Sequence, residues 1–306
     1  MKIPLLILIE SAHDFLPVIE DRGFRCILAT TPERRAQAIR DHADEIRVVL
    51  TRGATGFYAE EMAALPKLEL ICSLGVGFEN IDVAAARARG LRVTHGPGAN
   101  ATSVADHAMA LLLGAARHLP QADAWVRQGH WNGFMGPQVS GKRLGIVGLG
   151  TIGLEIARRG ANGFGMTVGY YNRRPRPESG YTYHDSPLAL AEASDFLVVA
   201  TPGGADTRHL VNAAVLDALG PQGYLVNIAR GSVVDTEALI AALAERRIAG
   251  AGLDVVEGEP VVPPALLKLD NVVLTRTARG ARRKRYRRRW RCSWRTPPRI
   301  SPASRC

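Results

Sequence analysis

Cysteine is scarce in this 306-residue chain: Cys26, Cys72, Cys292 and Cys306 show no CxxC pair and no metal-ligand spacing. That excludes a disulfide framework and a cysteine metal cluster, and the simplest setting is the reducing cytoplasm. No apolar run approaches membrane-spanning length. The opening MKIPLLILIESAHDF has one lysine, then Glu10, and no small-residue cleavage site, so it reads as a first strand rather than a signal peptide. No aspartate or glutamate follows Asp270, and no histidine follows His209. The net charge of +10 is therefore misleading, because 12 Arg and 1 Lys fall between Arg276 and the end. Removing these 13 of the 39 basic residues leaves 26 against 29 acidic ones, a net −3 for residues 1–275. The body reads as an ordinary, slightly acidic globular protein of two domains.

The organising stretch is Leu144 to Arg174. An apolar strand, Leu144 to Val147, runs into Gly148-Leu149-Gly150-Thr151-Ile152-Gly153. Helical spacing follows at Ile152, Ile156 and Ala157, and a second strand comes at Met166 to Tyr171. In such a unit Gly148 permits the tight turn, Gly150 admits a pyrophosphate to the backbone, and Gly153 lets helix and strand pack closely. The diphosphate would rest on the free amides of the helix N-terminus. An acidic residue ending the second strand would select NAD, whereas arginine accommodates a 2′-phosphate. Here the residues are Asn172, Arg173 and Arg174, with no carboxylate until Glu178, which favours NADP(H), with NAD(H) as the alternative.

Residues 1–98 alternate strands (Pro4–Ile9, Arg25–Leu28, Arg47–Leu50, Leu68–Cys72, Leu91–Thr94) with helices such as Pro32–His42 and Asp82–Arg89. This predicts a parallel sheet covered on both faces, with ligands beyond the strands' carboxyl ends. Two glycine loops occupy such positions, 51–56 and 73–78, and their amides suit a carboxylate. An apolar helix follows through Val104, Ala108, Leu111, Leu112 and Ala115, read as crossing between the domains. His107 within it reads as a packed or surface residue, not a catalyst. Further strands are expected at Phe196–Ala200, Tyr224–Ile228, Gly252–Val256 and Val272–Leu274, with a helix at Thr236–Arg247. They deliver an arginine, an aspartate and a glutamate to one sheet edge, which fits a reaction site.

The segments LGVGFENIDVAAARARGLRVTHGPG, NATSVADHAMALLLGAAR, VGLGTIG, NIARGSVVDTEAL and GAGLDVVEGEP, in that order, resemble the D-isomer-specific 2-hydroxyacid dehydrogenases, nearest in type to glyoxylate/hydroxypyruvate reductases. The resemblance covers about residues 45–275 strongly and 1–44 loosely. It implies an α/β fold of two doubly wound parallel-sheet domains. These are a flavodoxin-like substrate domain, 1–98, and a Rossmann cofactor domain, 99–275, joined as a homodimer through the cofactor domains. It implies a small 2-oxo or 2-hydroxy acid substrate held by Arg52, Gly53 and the backbone of Leu74, Val76 and Gly77. It implies cofactor contacts at Thr102, Thr201, Ile228, Ala229 and Asp254, no metal, Arg230 on the 2-oxo acid, and Glu259 beside a catalytic histidine.

That histidine belongs in a Thr-Pro-His-Ile-Gly type sequence, but after Asn271 to Thr275 this chain reads Arg276-Thr277, with Thr277 in its place. The helix that would complete the first domain is replaced by the basic tail 276–306, which reads as disordered or partner-bound. Tyr286, Trp290 and Trp294 among the arginines suit RNA or single-stranded DNA if the tail is an evolved feature. The abrupt change in mid-motif favours a reading-frame shift near codon 276. Two functions follow: an NADPH-dependent 2-oxo acid reductase impaired by Thr277, or a non-catalytic dinucleotide-sensing or nucleic-acid-binding protein resembling the family's corepressor relatives.

Overall fold

The computed structural model describes residues 2–276 apart from 132 and 134. Thr277 and the basic tail lie outside the described residues. The chain divides after Ala99 into two compact units.

The first unit holds β1 (Ile3–Ile7), β2 (Phe24–Leu28), β3 (Val48–Thr51), β4 (Leu70–Ser73) and β5 (Arg92–Thr94). They pair in parallel in the order β2-β1-β3-β4-β5, the flavodoxin-like arrangement. Both faces are covered, so the central strands are continuous apolar runs: Leu5, Ile7, Val48 and Leu50 face one cluster, Leu6, Val49 and Ile71 the other. Helix α1 (Pro32–Asp41) starts where the Thr31 side chain accepts from the Arg34 amide at 3.3 Å, with proline in the first turn.

The second unit holds β6 (Arg143–Val147), β7 (Thr167–Tyr171), β8 (Thr182–His184), β9 (Phe196–Val199), β10 (Tyr224–Asn227), β11 (Gly250–Leu253) and β12 (Val272–Leu274). All pair in parallel, in the order β12-β11-β10-β9-β6-β7-β8. The order reverses at β6, and the crevice at such a reversal is where α/β sheets bind dinucleotides. Helices α2 (Ala101–Ala116) and α4 (Thr151–Phe164) cover one face, while Leu190, Val215, Leu216 and Leu239 fill the other. Helix α3 (Leu119–Arg127) follows α2 and buries none of its residues. Helix α5 (Thr236–Ala244) starts at Asp235, whose side chain caps the Ala238 amide at 3.1 Å.

Helix α2 lies wholly in the second unit, packed on α4 and β10–β12. Gly252 makes its approach possible, since a Cβ there would stand 2.9 Å from the Leu111 Cβ. Strand β11 begins two residues earlier than the sequence pattern indicates and ends at Leu253, leaving 254–256 in the loop beyond it. Gly250 and Gly252 weaken its apolar signature. The edge strand β8 carries polar Thr182 and His184 and no apolar run.

Candidate active site

Each unit places a cluster of loops at the carboxyl ends of its strands. In the first unit the loops after β3 and β4 are held together by main chain. The Leu74 amide donates to the Thr51 carbonyl at 2.7 Å, and the Ser73 hydroxyl to the Gly77 carbonyl at 2.5 Å. The Thr51 hydroxyl donates to the Gly56 carbonyl at 2.8 Å, and the Arg52 Nε to the Thr55 hydroxyl at 3.0 Å. A Cβ on Gly53 would overlap the Glu79 carboxylate and stand 2.6 Å from the Gly77 carbonyl carbon, so the two loops meet here only because Gly53 has no side chain. The Leu74 amide is committed to Thr51, which leaves the amides of Val76 and Gly77 as the loop's candidates for a carboxylate. His95, not singled out in the sequence, lies 3.0 Å from the Val76 carbonyl through Nδ1, and its ring sits 5.0 Å from that of Phe78.

In the second unit the turn between β6 and α4 has the geometry its glycines require. Gly148 takes φ +101°, and a Cβ on it would stand 2.7 Å from the Thr201 amide nitrogen. A Cβ on Gly153 would overlap the Gly148 carbonyl, whereas the space beside Gly150 is open. No side chain caps α4 at Gly150, so its first amides face outward. These features fit a pyrophosphate at the helix N-terminus: room at Gly150, donors behind it, and the partial positive end of a 14-residue helix. Thr151 is exposed and Ile152 half-buried at that end, and Thr102 stands half-buried in the first turn of α2.

Asn172 braces this turn. Its Oδ1 accepts from the Leu149 amide at 2.7 Å. Arg176, which the sequence did not mark, donates from Nη1 to the Leu149 carbonyl at 2.8 Å, so both main-chain polar groups of Leu149 are held. Arg173 and Arg174 are exposed at the end of β7. Arg173 stands 3.6 Å from Asp206, both more than four-fifths exposed, a pairing worth little in water.

The loops after β9, β10 and β11 converge. Gly203 leaves room for Arg230, whose Cγ would be 2.7 Å from a Cβ there. Gly231 leaves room for Val256, whose backbone a Cβ would overlap. Asn227, buried beneath Ile228 and Ala229, accepts from the Ala229 amide and donates to the Arg230 carbonyl, each at 3.0 Å. It shapes the turn from which Arg230 projects. The Arg230 Nη1 donates to the Ala229 carbonyl at 2.6 Å. Glu259 is exposed and accepts from the Val256 amide at 3.1 Å. Two residues before it, Glu257 accepts from Arg208 at 2.8 Å and from His209 at 3.2 Å, pinning this loop to the segment after β9. Asp254 is buried, and its Oδ1 is contacted by His107 and Thr275.

Arg52, Gly53, Leu74, Val76 and Gly77 thus fall in the first unit, and the remaining candidates up to Glu259 in the second. Among the described residues no cluster of His, Cys, Asp and Glu could hold a metal ion, and no helix is long and apolar enough to cross a membrane.

The arrangement has known counterparts. Residues 109–276 match the family model described as D-isomer specific 2-hydroxyacid dehydrogenase, NAD binding domain. Hydroxyphenylpyruvate reductase of Plectranthus scutellarioides is 42% identical over 83% of this chain and 82% of that protein. Glyoxylate/hydroxypyruvate reductase A HPR2 of Arabidopsis thaliana has the same identity over the same shares. Among solved structures, an NADPH-dependent glyoxylate/hydroxypyruvate reductase of Sinorhizobium meliloti, in complex with NADP and malonate, superposes with a TM-score of 0.81. It is 41% identical, and the match covers 90% of this chain and 86% of that one. Two parallel sheets, a glycine turn at the strand-order reversal, and these matches across both units lead to one conclusion: the chain belongs to the D-isomer-specific 2-hydroxyacid dehydrogenases, NAD(P)-dependent oxidoreductases.

Proposed function

We propose that this chain reduces a small 2-oxo acid of the glyoxylate or hydroxypyruvate kind, with NADPH preferred over NADH. The observation that carries the reading is the second unit's sheet edge. There a glycine turn open at Gly150, two exposed arginines ending β7, and Arg230 and Glu259 on packed loops share one end of one sheet. The NADP complex of the Sinorhizobium meliloti relative supports the cofactor class.

The amides around Gly150, Thr151 and Ile152 hold the diphosphate, and Arg173 and Arg174 take the 2′-phosphate in exchange for the weak contact with Asp206. Thr102, Thr201, Ile228, Ala229 and Asp254 line the dinucleotide. The nicotinamide, when bound, supplies a hydride to the substrate's carbonyl carbon. Arg230 polarises the carbonyl oxygen and anchors the acid. Arg52, Gly53 and the amides of Val76 and Gly77 hold the substrate carboxylate. Thr277 cannot act as the proton donor that an imidazole beside Glu259 would be, so turnover is slow by about 10²–10⁴-fold. A second copy of the chain covers the apolar surface of α3, where Trp125 and Val126 are exposed, and nearby Trp131, which is 87% exposed. The free thiols Cys26 and Cys72 support a cytoplasmic setting.

The test is a steady-state assay of the purified chain with glyoxylate and hydroxypyruvate, each with NADPH and NADH. It is run beside a variant carrying Arg276→Pro and Thr277→His with the following helix restored. Weak NADPH-dependent reduction that rises at least a hundredfold in the variant is the expected result. Full-rate reduction by the unaltered chain overturns the impairment, and equal rates with NADH overturn the cofactor preference.

A further inference from the structure

Three side chains remote in sequence meet at the carboxyl end of the second sheet. His107 lies on α2, Asp254 directly follows β11, and Thr275 directly follows β12. The His107 Nε2 is 3.1 Å from Asp254 Oδ1 and 2.9 Å from the Thr275 Oγ1, and that hydroxyl is itself 2.9 Å from Asp254 Oδ1. The Asp254 side chain is 8% exposed and that of His107 34%. An ionised carboxylate only accepts, and a bare ring nitrogen would set lone pair against lone pair, so Nε2 carries the hydrogen. Asp254 Oδ1 thus receives two donors. The main chain is held as well: the Asp254 amide donates to the Asn227 carbonyl at 3.0 Å and the Thr275 amide to the Leu253 carbonyl at 2.9 Å. A nearly buried acceptor is fixed by its backbone and by two side chains from separate elements, and it stands on the edge that carries Ile228 and Arg230.

We infer that His107 is a positioning residue for the nicotinamide end of the cofactor. With Thr275 it holds the Asp254 carboxylate in one rotamer, so that Asp254 accepts an N–H of the ring's carboxamide and sets which face of the ring meets the substrate. The inference rests on the proposed cofactor site, in which Asp254 contacts the dinucleotide. A histidine that merely packed α2 on the sheet would not discriminate between ligands with and without that ring.

The experiment uses the full chain and two probes, NADPH and 2′-phospho-ADP-ribose, which shares every group except the nicotinamide. Dissociation constants are measured by titration calorimetry for the unaltered chain and for His107→Leu, His107→Gln and Thr275→Val. His107→Leu is expected to weaken NADPH about tenfold or more, the scale of a lost hydrogen bond to a charged group, and to leave 2′-phospho-ADP-ribose unchanged. His107→Gln, which can offer an N–H at a similar reach, recovers most of the loss. Thr275→Val shows the same selectivity at a few-fold, and it carries the test if His107→Leu does not fold. Equal weakening of both probes, or of neither, overturns the positioning role while the site reading stands. Failure of the unaltered chain to bind either probe overturns the site reading, and this inference falls with it.

Discussion

The two units share one sheet chemistry, and the close approach of Gly53 to Gly77 in the first contrasts with the buried polar braces of the second. In the first, main-chain bonds and hydroxyls donating to carbonyls act beside side-chain donors from Arg35, Arg52 and Asn80, and the loops after β3 and β4 touch where Gly53 meets Gly77. In the second, buried or half-buried polar side chains do the joining: Asn172 to Leu149, Asn227 to Ala229 and Arg230, His107 to Asp254, Glu257 to Arg208 and His209. Where two loops touch through a glycine, the contact depends on the missing side chain, so adding an atom damages it. A side-chain-braced loop is shaped by particular polar groups, so removing one damages it.

Substitutions can break that comparison. Arg230→Gln should have the largest effect, lowering kcat/KM for the 2-oxo acid about 10²–10³-fold by removing the charge at the carbonyl oxygen. Unchanged steady-state kinetics would remove Arg230 from the site. Gly53→Ala should cost about 1–3 kcal/mol in chemical denaturation, because the Glu79 carboxylate can swing away but the Gly77 backbone cannot. It should also raise KM for the oxo acid and leave NADPH affinity as it was. Asn227→Ala leaves an amide and a carbonyl of the Arg230 turn unpaired and should cost about 1–3 kcal/mol, with kcat falling more than KM rises. If Gly53→Ala and Asn227→Ala showed the same kinetic split, the distinction between the two kinds of loop would have no functional content. Arg174→Ala should cut the preference for NADPH over NADH about tenfold, equivalent to about 1.4 kcal/mol.

The smallest effect concerns the amino end of the second sheet. The Asp195 carboxylate accepts from the Arg143 guanidinium and amide, and the hydrogen bond to that guanidinium holds it below the usual carboxyl range. A carboxyl depressed in the folded state stabilises above its unfolded pKa, and this contribution is lost as pH falls through the folded value. Asp195→Asn should therefore lower the unfolding free energy near neutrality by no more than about 1 kcal/mol and flatten the acid limb of stability against pH. A difference from the unaltered chain that grows as pH falls would contradict this sign.

Much of the fold was legible because buried parallel strands announce themselves. Runs such as Phe196–Val199 and Tyr224–Asn227 are buried throughout and stand out in the sequence. Strand β8 was not legible, because an edge strand with Thr182 and His184 needs no apolar run. The bounds of β11 shifted because Gly250 and Gly252 serve the approach of neighbouring elements, not strand propensity. At the candidate site, the glycine turn, Arg173, Arg174, Arg230 and Asp254 could be picked out by position after a strand. Arg176, Asn227 and His107 could not. Arg176 and His107 matter through partners that the fold supplies, the Leu149 carbonyl and a carboxylate 147 positions away, and Asn227 through the turn two and three residues on.

The order of the buried strands, the glycine turn and the basic residues after β7 are local in the chain, and local patterning was sufficient to determine them, β8 apart. The convergence of the three loops at Arg230, and the choice of His107 over the other histidines as a partner for Asp254, were decided only by tertiary structure. The reason is geometric: parallel strands joined by crossover helices bring distant segments to one edge, and which side chains meet there depends on registers and close approaches between elements that sequence spacing does not encode.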